Sequence, residues 1–185
     1  MRATSSVERS IALVESIYDE YLDLTRDRLS MSSMTALNRS YPKHLLIACA
    51  SSLEDQVKQF LEQLYKEAGG ETLFEFVSSN VLKRGYHSLF DWDNEKAQKF
   101  FSAFGEGVAG RFRTLVKTDA GVKIQHDAFM SIGSERNRLV HRDYASYVLE
   151  ATPSEVMSRF RLGTKFVQSF DSVILERELA INDTE

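Results

Sequence analysis

Cysteine is almost missing: Cys49 stands alone among 185 residues, so the chain forms no internal disulfide and no cysteine-cluster zinc site. Proline occurs twice and glycine nine times, roughly 1% and 5% against usual levels of about 5% and 7%. So few chain breakers exclude a collagen-like or disordered chain and argue against a many-turned β architecture. No apolar run approaches the ~18 residues of a bilayer span, and the first residues lack the apolar segment of a signal peptide. A cytoplasmic protein with no membrane partner is the expectation. Alternating strand patterns, internal repeats and low-complexity blocks are also missing. What is present, 43% apolar and 27% charged residues, suits a single all-α domain long enough to bury its own core.

The apolar residues recur at helical spacing. Val7, Ile11, Val14, Ile17 and Leu22 predict an amphipathic helix over residues 6–29. The polar stretch Ser30 to Ser40 reads as a linker, and Pro42 as the start of a second helix. That helix carries the stripe Leu45, Cys49, Leu53, Val57 and Leu61, and stops at Gly69-Gly70. A shorter helix over 71–82 precedes an ordered loop, Lys83 to Asp93, rich in aromatics. Asp93 or Asn94 is placed to cap a helix bearing Phe100, Phe101, Phe104, Phe112 and Leu115. Ile124, Phe129, Ile132 and Leu139 mark another helix that runs into Arg136–His141, and Thr152-Pro153 opens the last one. The expected fold is a compact bundle of five to seven helices.

The formal charge of −4 does not by itself suggest a nucleic-acid binder, but its distribution is uneven. Between Val108 and Lys165 ten bases face six acids, a local +4 that leaves −8 for the rest. A basic middle in an acidic chain can hold a polyanion locally, although such asymmetry is common on helical surfaces. Several apparent motifs are bland. Gly105 to Gly110 matches G-x-G-x-x-G, but no βαβ unit surrounds it, so a helix break is the better reading. Asp91, Asp93 and Glu95 suit a helix cap better than a cation site. His44, His87 and His126 lack partners at ligand spacing and read as surface or core residues, and Cys49 as buried and inert. Neither a metal nor another cofactor is expected.

One segment stands apart: Glu135-Arg136-Asn137-Arg138-Leu139-Val140-His141-Arg142-Asp143. A bare R-x-x-x-x-H spacing is weak, since 14 arginines and four histidines in this length give about 0.3 chance matches. Arg39 to His44 is one such match, interrupted by Pro42. Requiring Asn after the Arg lowers the expectation to roughly 0.01. The residue types suit proton transfer at His141 and anion binding at Arg136. Asn137, four positions before His141, shares its helical face. Arg136 and His141, however, point about 140° apart on a straight helix. They converge only if the helix bends or begins there, or if two copies meet. The alternative is structural: Arg136 pairs with a carboxylate and His141 ends a helix favourably.

With its helical patterning and this motif, the chain resembles the HEPN superfamily (higher eukaryote and prokaryote nucleotide-binding), whose ribonucleases carry R-N-x-x-x-H in a helical bundle. The likeness covers roughly residues 41–149 and includes Ala50-Ser51-Ser52-Leu53-Glu54 and Tyr86-His87-Ser88-Leu89-Phe90-Asp91-Trp92. That last segment is most similar to the RiboL-PSP branch. Residues 1–40, a helix and linker, and residues 150–185, the last helix, gain no role from it. The resemblance implies a metal-independent endoribonuclease, working by 2′-OH attack, with Arg136, Asn137 and His141 as catalytic residues. Arg138 and Arg142 would bind RNA, and Glu54 would hold the arginine or the imidazole from behind. It further implies a homodimer, and a toxin–antitoxin or antiphage-defence setting with a restraining partner. A non-catalytic HEPN module that binds RNA or nucleotide, or that dimerises with a partner, is the alternative.

Overall fold

In the computed structural model, which describes residues 6–26, 30–79, 83–141 and 144–175, the first periodic stretch forms α1 (Ser6–Arg26). The next helix begins earlier than Pro42 predicts. Ser30 accepts the amide of Ser33 at 3.2 Å, and α2 runs from Met31 to Val77 with Pro42 inside it. The expected Ser30–Ser40 linker is thus helical. Its hydroxyls are satisfied along the helix, Thr35 donating to the Met31 carbonyl and Ser40 to that of Ala36. Tyr41 stacks on Tyr21 of α1 at 4.6 Å and donates to the Ile17 carbonyl, which seats the Pro42 turn against α1. The glycine stop survives as a kink, with Gly70 at φ 68° between helical neighbours.

The aromatic segment expected as a loop instead begins with α3 (Lys83–Leu89), anchored by buried Tyr86 within it and by buried Phe90 immediately after its last residue. Asp91 and Lys96 then exchange two backbone hydrogen bonds across a tight turn. The phenylalanine-rich helix is split at Gly105 (φ 100°) into α4 (Gln98–Ser102) and α5 (Glu106–Thr118). Neither Asp93 nor Asn94 caps α4. The amide of its N-cap residue, Ala97, donates to Nε2 of buried His126 at 3.2 Å, leaving Nδ1 to meet Asp127 at 2.9 Å. Residues Ala120–His141 form α6 without interruption. A capping box of Thr152 and Glu155 starts α7 (Pro153–Gln168), and α8 (Phe170–Leu175) follows.

Among the described residues the regular elements are all helical, and no helix is long and apolar enough to cross a membrane. The bundle's spine is α6 against α7, α7 against α2, and α2 against α1. Its core is a phenylalanine cluster: Phe101 stacks on Phe112 at 4.0 Å, and Phe90, Phe100, Phe129, Phe166 and Phe170 close around them. Cys49 is fully buried among these helices, and burial pushes its thiol well up from the ordinary value.

Candidate functional site

The rotation of α6 is fixed from the α7 side. Arg159 of α7 lies 3.5 Å from the Glu135 carboxylate and donates to Ser131 at 3.2 Å. With Glu135 turned toward α7, the next two residues, Arg136 and Asn137, face the α2–α3 side. There Phe129, Ile132, Gly133, Arg136 and Asn137 line one wall of a narrow pocket, at the helical spacing 0, 3, 4, 7 and 8. Ala50, Leu53 and Glu54 of α2 form the second wall, and Tyr86, His87 and Trp92 the third.

Trp92 determines how α3 meets α6. Its ring lies on Gly133 so closely that a Cβ there would stand 2.0 Å from Cζ3. Its indole N–H donates to the His87 carbonyl at 3.0 Å. Its ring also lies 5.0 Å from Phe90 and 5.8 Å from Phe129. Glycine at 133 therefore lets the indole reach α6, and the indole in turn holds the end of α3 beside Arg136.

Inside the pocket Arg136 donates to the Asn137 side-chain oxygen at 3.2 Å, and the same nitrogen lies 3.5 Å from His87 Nε2. Because a guanidinium only donates, the nitrogen facing it is the unprotonated one. Partial desolvation, and then the Arg136 charge, hold the His87 imidazole below its usual range. Glu54 lines the same pocket, but its carboxylate is engaged by Lys58 at 2.5 Å. Burial pushes the Tyr86 phenol up, and the Glu54 charge adds to this. The pocket itself has a volume of about 10 Å³, room for about one water molecule.

His141, exposed at the last residue of α6, does not enter that pocket. It lines an adjoining cavity of about 340 Å³ with Trp92, Asp93, Ser134, Asn137 and Arg138, near the lower end of ligand-pocket sizes. Since α6 is continuous, Arg136 and His141 open on different spaces, as helical geometry requires, and Asn137 and Trp92 form walls of both. Arg138 is exposed but engaged, donating to Glu95 at 3.0 Å and to Ser134 at 2.9 Å. Arg142 lies outside the described residues. Asp91 accepts from the Asn94 amide and side chain, and Glu95 serves Arg138. Among the described residues no three His, Cys, Asp or Glu groups gather where an ion could be held.

His87 is the residue that sequence reasoning missed. Its neighbour in space is 49 positions away on another helix, so no spacing rule reaches it. The available signal was its place in the aromatic run Tyr86 to Trp92.

A family model described as RiboL-PSP-HEPN matches residues 8–176, a span that takes in α1 and α7 beyond the 41–149 expected. No curated protein and no solved structure matches the chain.

Proposed function

The chain belongs to the RiboL-PSP-HEPN family, and from that premise we propose that it is a metal-independent endoribonuclease using Arg136, Asn137 and His141. The observation that carries the reading is the pair of adjoining spaces with Asn137 as a common wall, a guanidinium in one and an imidazole in the other. RNA cleavage by its own ribose needs the 2′-oxygen to lose a proton and attack phosphorus while the 5′-oxygen leaves protonated. Arg136 offsets the charge that builds on the phosphate. Asn137 keeps that guanidinium aimed, and His141 moves a proton. The scheme requires no metal.

Two copies about a two-fold axis would bring the Arg136 pocket of one chain to the His141 cavity of the other, so a homodimer belongs to this reading. So does a restraining partner, such as an antitoxin or another protein of a defence system. A clean monomer in sedimentation at micromolar concentration argues against the composite cleft.

The test is labelled RNA incubated with purified protein in EDTA. Fragments ending in 2′,3′-cyclic phosphate are expected. His141→Ala lowers the rate by about 10²–10⁴ with RNA binding retained. Arg136→Ala costs a similar factor and also weakens binding. Cleavage only with added divalent metal, or a fully active His141→Ala variant, refutes the assignment. A folded wild type that binds RNA without cutting it points to the non-catalytic module.

A further inference from the structure

The reaction needs two proton transfers, and the R-N-x-x-x-H motif carries a single imidazole. The second imidazole in this region is His87. Its ring stands edge-on to buried Tyr86 at 5.6 Å, its carbonyl receives the Trp92 indole N–H, and its Nε2 faces Arg136. Both ring and backbone are thus held beside Arg136, the group assigned above to the phosphate. Resting on the ribonuclease reading above, we propose that His87 is the general base that takes the 2′-OH proton, with His141 as the acid that protonates the departing 5′-oxygen.

Because His87 is exposed and Arg136 half-buried, a phosphate too large for the inner pocket meets Arg136 from the solvent side and takes over the N–H now directed at His87, which leaves Nε2 free to accept. The 2′-O–H bond then breaks toward Nε2 and the 2′-O–P bond forms. The P–O5′ bond breaks, its electron pair taking a proton from His141. The products are a 2′,3′-cyclic phosphate and a 5′-hydroxyl, and water resets both imidazoles. The charged groups facing His87 are Arg136 and His141 from α6 and Glu54 and Lys58 from α2. Desolvation, Arg136, Lys58 and His141 oppose its protonation and Glu54 favours it, with a net lowering. A base must be neutral to act, so the rate rises with pH through the His87 pKa, with a midpoint below the ordinary 6.5.

His87→Gln is the variant of choice, because it keeps an acceptor for Arg136 and removes the titrating ring. It is expected to lower kcat by about 10²–10⁴ and erase the acidic limb of kcat/KM, with RNA affinity and melting temperature unchanged. A substrate with sulfur in place of the bridging 5′-oxygen needs no acid, since a thiolate leaves unprotonated. It is expected to restore His141→Ala and not His87→Gln. Full activity of His87→Gln beside a dead His141→Ala overturns the base assignment alone. So does restoration of both variants, or of neither, by the 5′-thio substrate. A fully active His141→Ala removes the underlying ribonuclease reading and this inference with it.

Discussion

Replacing Gly133 by alanine tests how the site is assembled. A Cβ at this position would stand 2.0 Å from Trp92 Cζ3 and 2.5 Å from Cε3, so either the indole or α6 must move. Overpacking of this kind costs about 1–3 kcal/mol. If the indole moves, its hydrogen bond to the His87 carbonyl is lost, roughly 1 kcal/mol more. Alanine's helix propensity returns about 1 kcal/mol. The net loss of about 1–3 kcal/mol lowers the melting temperature by on the order of 5 °C for a chain of this size. Gly110→Ala is the control. Its Cβ meets nothing nearer than 3.9 Å, so the variant matches or slightly exceeds wild type. Trp92 is the sole tryptophan, which makes its emission and near-ultraviolet dichroism direct reporters of displacement. A Gly133→Ala protein as stable as wild type, with unchanged tryptophan emission, would refute the proposed packing.

Other variants probe separate parts of the molecule. Arg136→Lys keeps the charge but loses the planar fork, so cleavage assays are expected to show partial recovery over Arg136→Ala and no more. Arg138→Ala, or Arg142→Ala, is expected to lower RNA affinity more than Arg9→Ala or Arg26→Ala, and to reduce the slope of affinity against salt by about 1; equal losses place the footprint elsewhere. Thr152→Ala removes the hydroxyl that accepts the Glu155 amide at 3.2 Å, costing about 1 kcal/mol at pH 7 in urea melts. The Thr152 backbone N–H and then its hydroxyl hold the Glu155 carboxyl below its usual range. Their stabilisation is therefore complete above that range and is lost as pH falls through the folded value, so the gap between wild type and variant narrows in acid. Cys49, buried with its thiol pushed up, is expected to react with a thiol reagent only in denaturant; rapid labelling of native protein contradicts this.

Much of the bundle was legible because long amphipathic helices advertise themselves by period. The stripe from Leu45 to Leu61 and the run from Ile124 to Leu139 are examples. Misreadings arose where tertiary contacts outweighed local signals. Pro42 reads as a start, yet Tyr41 contacts on α1 carry the helix through it. The aromatic-rich stretch Lys83 to Asp93 reads as a loop, yet burial of Tyr86 and Phe90 goes with a helix over Lys83–Leu89. At the site, the 140° divergence of Arg136 and His141 was computable from the sequence. The approach of His87 to Arg136 was not, because it depends on Trp92 finding Gly133 across 41 positions of chain.

The seven residues of α3 are too few to remain helical on their own. They are kept in register by Tyr86, Phe90 and the neighbouring Trp92, which are buried in the same core that the long helices share. Opening α3 alone exposes only these few side chains, and so needs less free energy than melting the whole bundle. On the proposed role of His87, warming would disperse its imidazole and the indole wall first, so RNA cleavage is expected to fade, reversibly, at temperatures where helical content is still intact. The ceiling on working temperature would then belong to one short helix rather than to the domain.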